Sequence, residues 1–132
     1  MFKLFTKVEH FNHEILRLRK PQLGELPADQ RAHLINALLE EVGEFQLAAE
    51  EGDFIGSVDA LIDLIYFAAG GLHKLGLSAD DAEFSFMAVH TANMEKQKGV
   101  KESRAVGDAP DAIKPKDWVS PEERIRHYFF GE

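Results

Sequence analysis

The stretch DALIDLIYFAAGG, residues 59–71, is apolar almost throughout yet carries two aspartates, Asp59 and Asp63, one helical turn apart. At about 100° per residue they fall within about 40° of each other, with Val58, Leu61, Ile62, Leu64, Ile65, Tyr66 and Phe67 on both sides. A helix apolar all round is buried over most of its surface, so the two carboxylates are expected inside rather than on a solvated face. An ionised carboxylate taken out of water costs several kcal/mol unless it is paired or bound to a cation. Arg17 or Arg31 could pair with them; the other compensation is a metal ion.

Working outward, Asp53 is placed to cap this helix and Gly76 to end it, giving a helix from about 54 to 75. Before it, a helix from Pro27 or Ala28 to Glu51 carries LLEEVGEF, in which Glu40, Glu41 and Glu44 cluster over about 100° of arc. Glu41 borders the apolar stripe of Leu34, Leu38, Val42 and Phe45. If the two helices form an antiparallel hairpin through EGDF, Glu44 and Asp59 stand at the same height, seven or eight residues from Gly52. Four or five carboxylates then meet at one level. Oxygen donors without His or Cys suit a hard divalent cation, Mg²⁺ or Mn²⁺.

The rest of the chain reads as helix too. Leu4, Val8, Phe11, Ile15 and Leu18 recur at three and four, predicting a helix over 4–19 that KPQLGELP breaks. Ser78 with Asp80 and Asp81 opens a fourth helix ending before Gly99. Residues 100–119 lack periodicity, and Ser120, Pro121 and Glu123 mark a short terminal helix. With no strand pattern, the expectation is one all-α domain over 1–132, a four-helix bundle with a short C-terminal helix.

Composition narrows the function. The 132 residues carry a net charge of −8, against a nucleic-acid partner. No run reaches the roughly 18–20 uninterrupted apolar residues of a membrane span, because Asp59 and Asp63 interrupt the best candidate, and no membrane partner is expected. MFKLFTKVEHFNHE lacks the apolar core of a secretion signal, and there is no cysteine, so the expected location is cytoplasmic. His10 and His13 with Glu14 lack metalloprotease spacing and are the weaker metal candidate; His73 and His90 are expected to pack or cap.

EEVGE, then DALIDLIYFAAGGLHKLGL, VHTANMEK and KPKDW in that order resemble the MazG-like all-α nucleoside triphosphate pyrophosphohydrolases, in the phosphoribosyl-ATP pyrophosphohydrolase-like branch, over roughly residues 31–120. The resemblance implies Mg²⁺-dependent hydrolysis of a (deoxy)nucleoside triphosphate to monophosphate and pyrophosphate. Alternatives are phosphoribosyl-ATP hydrolysis in histidine biosynthesis, or a non-catalytic nucleotide-binding helical assembly. By resemblance Glu41, Glu44 and Asp63 are metal ligands and Glu40 the base for the attacking water. Relatives carry Glu-x-x-Asp where this chain has Ala60 before Asp63, so Asp59 is the substitute ligand. Asn93, Lys96 and Lys98, with Lys101 and Arg104, supply phosphate contacts, and Lys114 and Trp118 either close over substrate or anchor the tail. Phe11 and Asn12 lie where relatives recognise the base. A homodimer is expected, or a tetramer, because the apolar third helix offers more surface than one small bundle hides.

Overall fold

A computed structural model describes residues 3–19, 21–99 and 111–132. Five helices carry the fold, in the order α1 (Leu4–Glu14), α2 (Ala28–Glu50), α3 (Phe54–Lys74), α4 (Ala79–Met94) and α5 (Pro121–Phe130). A short ribbon, β1 (Gln97–Gly99) against β2 (Asp111–Ile113), lies between α4 and α5. The class is all-α, as the periodicity predicts. The ribbon is the departure: its strands pair antiparallel over three residues, Gln97 with Ile113 to Gly99 with Asp111. Three residues are too few to display period-two alternation, so no strand signal was present to read.

The chain divides into two compact units, one ending at Ala82 and the other beginning at Glu83, within α4. In the first, α3 packs chiefly against α2 and also against α1. The hairpin forms as its local signals require. Asp53 caps α3 by accepting from the Gly56 N–H at 2.9 Å, and Gly52 turns the chain with φ +70°. Small residues then let the helices approach: Ala48, Ala60 and Ala69 are buried, and a Cβ on Gly71 would stand 2.8 Å from Leu34 Cδ2. At the far end Gly76 takes φ +96° against the Leu23 backbone, a conformation and a space that only glycine fits.

α1 is shorter than predicted. It ends at Glu14, Arg17 turns into the left-handed region at φ 56°, and the Leu18 N–H returns to Asn12 O at 3.0 Å. Ile15, assigned to the apolar stripe, is 66% exposed as a result. Periodicity carried the prediction one turn past the point where the chain bends away.

The core of this unit holds Val8, Leu26 and Leu77 beside a set of alanines, and many large side chains remain outside it. Ile35, Leu39 and Val42 form an exposed row on α2, and Phe54, Ile55, Val58, Leu61, Ile62 and Ile65 an exposed apolar arc on α3. By length and composition α3 is apolar enough to cross a membrane, with mean hydropathy 1.5, although it holds both aspartates.

In the second unit, Trp118 Nε1 donates to Ala92 O at 2.6 Å, Phe84 stacks on Tyr128 at 4.0 Å, and Arg124 pairs with Glu95 at 3.1 Å. Ser120 caps α5 by accepting from the Glu123 N–H, and Gly131 closes it with φ +71°.

Candidate functional site

Glu41 sits on α2 at the middle of the face turned toward α3, on the same side as Leu34, Phe45 and Ala48. It is only 9% exposed, and its Oε2 is buried without a hydrogen-bond partner. Burial first, then a hydrogen bond with Glu44, then the charges of Glu44, Asp63 and Asp59 push its carboxyl from 4.5 up to about 7. Asp63, half-buried on α3, is raised above its ordinary value of 3.8 by burial and by the charges of Asp59 and Glu44. The helical hairpin thus brings Glu41, Glu44, Asp59 and Asp63 within electrostatic reach of one another, at the register predicted from the EGDF turn. No described Lys or Arg pairs with either aspartate, so the arginine alternative finds no support among the described residues.

The four carboxylates interact without closing into a chelate. Among the described residues no three His, Asp or Glu side chains stand close enough to hold an ion as they are. His10 and His13 line a different cavity, of about 600 Å³. What the four offer a cation is an all-oxygen donor set, mutual repulsion that a divalent charge relieves, and a buried Glu41 oxygen with nothing to bind. Glu44 and Asp59 are exposed and free of the packing that holds Glu41. The residues fit a hard cation. Glu40 is exposed on α2, one position round from Glu41.

Next to the acidic set along the hairpin is a cavity of about 230 Å³. Phe11, Tyr66 and Phe67 supply aromatic walls, Phe11 meeting Tyr66 edge-on at 5.5 Å, and Ala37 and Gly70 leave room. Asn12, 2% exposed, donates its amide to Gly70 O at 3.4 Å. This is below the roughly 300–1,000 Å³ of drug-sized pockets and suits one flat ring system. Phe11 and Asn12, singled out by resemblance, therefore do line a cavity.

The basic residues belong to the second unit. Lys96 and Lys114 both lie over the Trp118 ring, 5.4 and 5.0 Å from its centroid, and Asn93 is exposed one turn before Lys96. The Trp118 hydrogen bond to Ala92 makes it a tail anchor. Lys98 is paired in register with Ala112 on the ribbon. Lys101 and Arg104 lie outside the described residues. His73, expected to pack or cap, is buried but caps nothing: neither ring nitrogen has a hydrogen-bond partner. The sequence carried no local sign of this, because the space around His73 is made by α1, α2 and α3 together.

Comparison with known proteins gives one finding. A family model described as phosphoribosyl-ATP pyrophosphohydrolase matches residues 8–93, which include the carboxylate set and the aromatic cavity. No curated protein matches the chain.

Proposed function

The chain belongs to the phosphoribosyl-ATP pyrophosphohydrolase family, within the MazG-like all-α superfamily, and is a pyrophosphohydrolase acting on phosphoric anhydrides. From that premise we propose that it cleaves phosphoribosyl-ATP to phosphoribosyl-AMP and pyrophosphate with Mg²⁺ or Mn²⁺. The family match favours this substrate over the (deoxy)nucleoside triphosphate that the sequence alone put first. The observation that carries the site is Glu41: a buried carboxyl with a partnerless oxygen, surrounded by three more carboxylates inside the matched segment.

Glu41, Glu44 and Asp63 would hold the cation, with Asp59 in the place that relatives give to a glutamate one position on. When bound, the ion supplies charge neutralisation for a polyphosphate and acidifies the attacking water. Glu41 is fixed by its burial, and Glu44 and Asp59, both exposed, would have the rotational freedom to join it in holding the ion. Glu40, exposed beside Glu41, accepts the proton of the water. Phe11 and Asn12 receive the purine. Asn93, Lys96, Lys98 and Lys114 are the phosphate-contacting set, a role for which their charge and side-chain donors are the support. The nucleotide is the main partner, the enzyme works as a homodimer or tetramer, and its place is the cytoplasm.

Pyrophosphate release from phosphoribosyl-ATP, ATP and the four deoxynucleoside triphosphates, with Mg²⁺, with Mn²⁺ and with chelator, tests the proposal. The expected pattern is metal-dependent release, fastest with phosphoribosyl-ATP and lost in Glu41→Gln. Release that is unchanged by that substitution would place the reaction elsewhere.

A further inference from the structure

The acidic set stands at one end of two rows of side chains along the hairpin. Along α2, Glu41, Ala37, His33 and Gln30 follow at steps of four, four and three; along α3, Asp63, Phe67, Gly70 and Lys74 follow at four, three and four. Each helix therefore carries one stripe leading away from the carboxylates. The stripes first line the aromatic cavity and then a second one of about 670 Å³, with His33 and Lys74 common to both.

This outer cavity reverses the sign of the chain. Arg19, His33, His73 and Lys74 line it, with Asp29 and Gln30, in a protein whose net charge is −8. The α2 N-terminus stands at the same wall without a side-chain cap, and its dipole favours an anion. His73 is 7% exposed with both ring nitrogens unpartnered, and Glu9 Oε2, 3.9 Å from Nδ1, is beyond hydrogen-bond distance. A buried imidazole left unpaired costs free energy that a ligand oxygen would recover.

We propose that the outer cavity binds the second phosphoribosyl group of the substrate, its terminal phosphate held by Arg19, Lys74 and the two imidazoles. The inference rests on the phosphoribosyl-ATP reading. Its geometric support is length. His33 is eight residues from Glu41 and Lys74 eleven from Asp63, about 12 and 16 Å at the helical rise. A purine with a ribose phosphate on each side places its two phosphate-bearing ends about 15 Å apart at ordinary bond lengths. An ordinary nucleoside triphosphate stops at its base and leaves the outer cavity without a ligand. Asp29 and Gln30 offer acceptors to the ribose hydroxyls. Carboxylates with metal, aromatic slot and cationic cavity then match triphosphate, purine and phosphoribosyl arm in order.

The test uses the full chain with Mn²⁺ and two substitutions at side chains that reach solvent, Arg19→Gln and Lys74→Gln, each checked for an unchanged melting temperature. Each should raise the KM for phosphoribosyl-ATP about 10-fold or more beyond any rise for ATP, as loss of a charge-assisted hydrogen bond implies. Equal factors for both substrates overturn the proposal. A second arm uses ribose 5-phosphate and follows the His33 and His73 ring resonances by NMR. A shift in the wild type that disappears in the variants supports the phosphate site, and no shift overturns it. If the wild type does not cleave phosphoribosyl-ATP at all, the substrate reading fails, and the ribose 5-phosphate arm still decides the cavity.

Discussion

Replacing Glu41 by Gln removes a carboxyl whose titration the fold shifts upward, and the effect can be worked out in protons. In the folded chain this carboxyl titrates at about 7 rather than 4.5. At about pH 5.75, midway between, it carries about 0.95 proton folded and about 0.05 unfolded, so folding takes up about 0.9 proton from this group. The folded form holds the proton more tightly, so this contribution to stability is complete below about pH 4.5 and is lost as pH rises through about 7. Asp63, raised in the same direction, adds to the slope from its own lower starting value. Denaturation reports the summed slope of these carboxyls.

A bound cation inverts the dependence, because it needs the carboxylates ionised. Mn²⁺ affinity is expected to rise about tenfold per pH unit between about pH 5 and 7 and to level off above, one proton leaving for each ion bound. Urea denaturation of the metal-free protein across this range measures the first effect. Calorimetric titration with Mn²⁺ in buffers of different ionisation enthalpy measures the second. Glu41→Gln should flatten both. An unchanged stability slope in the variant, or an Mn²⁺ affinity independent of pH across the window, would refute the assignment of Glu41.

Asp63→Asn should weaken Mn²⁺ binding more than Asp59→Asn, since Asp63 is half-buried and Asp59 exposed; equal losses in calorimetry would remove that distinction. Trp118→Phe keeps a ring for Lys96 and Lys114 but loses the bond to Ala92 O, and should cost about 1 kcal/mol in urea denaturation. Gly76→Ala faces both φ +96° and the Leu23 backbone, and a loss below about 1 kcal/mol would mean that the turn relaxes freely. Leu39→Glu with Ile65→Glu, both at exposed apolar positions, should convert an oligomer into a folded monomer of 14.8 kDa by light scattering; a wild type already at that mass contradicts the proposed assembly.

The hairpin that builds the acidic set was legible because every signal for it is local. Asp53, Gly52 and Gly76 mark the ends, and counting from the turn places Glu41 and Glu44 opposite Asp59 and Asp63. Ser120 with Pro121 marked α5 in the same way. The end of α1 at Glu14 had no such mark: Arg17, rather than glycine or asparagine, stands at the left-handed position that follows, and the apolar spacing runs on beyond it. The ribbon depends on pairing across more than ten residues of intervening chain. The cavity around His73 depends on three helices meeting, which no single stretch records. The role of Trp118 rests on its indole N–H donating to Ala92 O, a contact between residues 26 apart that no local pattern records.

α3 carries the tension within DALIDLIYFAAGG on three separate faces. One, at Ala60 and Gly71, lets α2 approach closely; a second presents Asp59 and Asp63 to the glutamates of α2; a third, from Phe54 to Ile65, is apolar and exposed. Crossing a bilayer would satisfy the third face, but an aspartate near the centre of a membrane helix costs roughly 2.5–3.5 kcal/mol, and here there are two. A second copy satisfies it without that cost. The exposed row Ile35, Leu39 and Val42 on α2 extends the same need to the neighbouring helix, so the surface asking to be covered belongs to the hairpin that holds the carboxylates. Covering it would hold the hairpin rigid from behind, and the placement of Glu41 and Asp63 would then depend on assembly. On that reasoning the Leu39→Glu and Ile65→Glu chain, although folded, should lose Mn²⁺ affinity along with its partner.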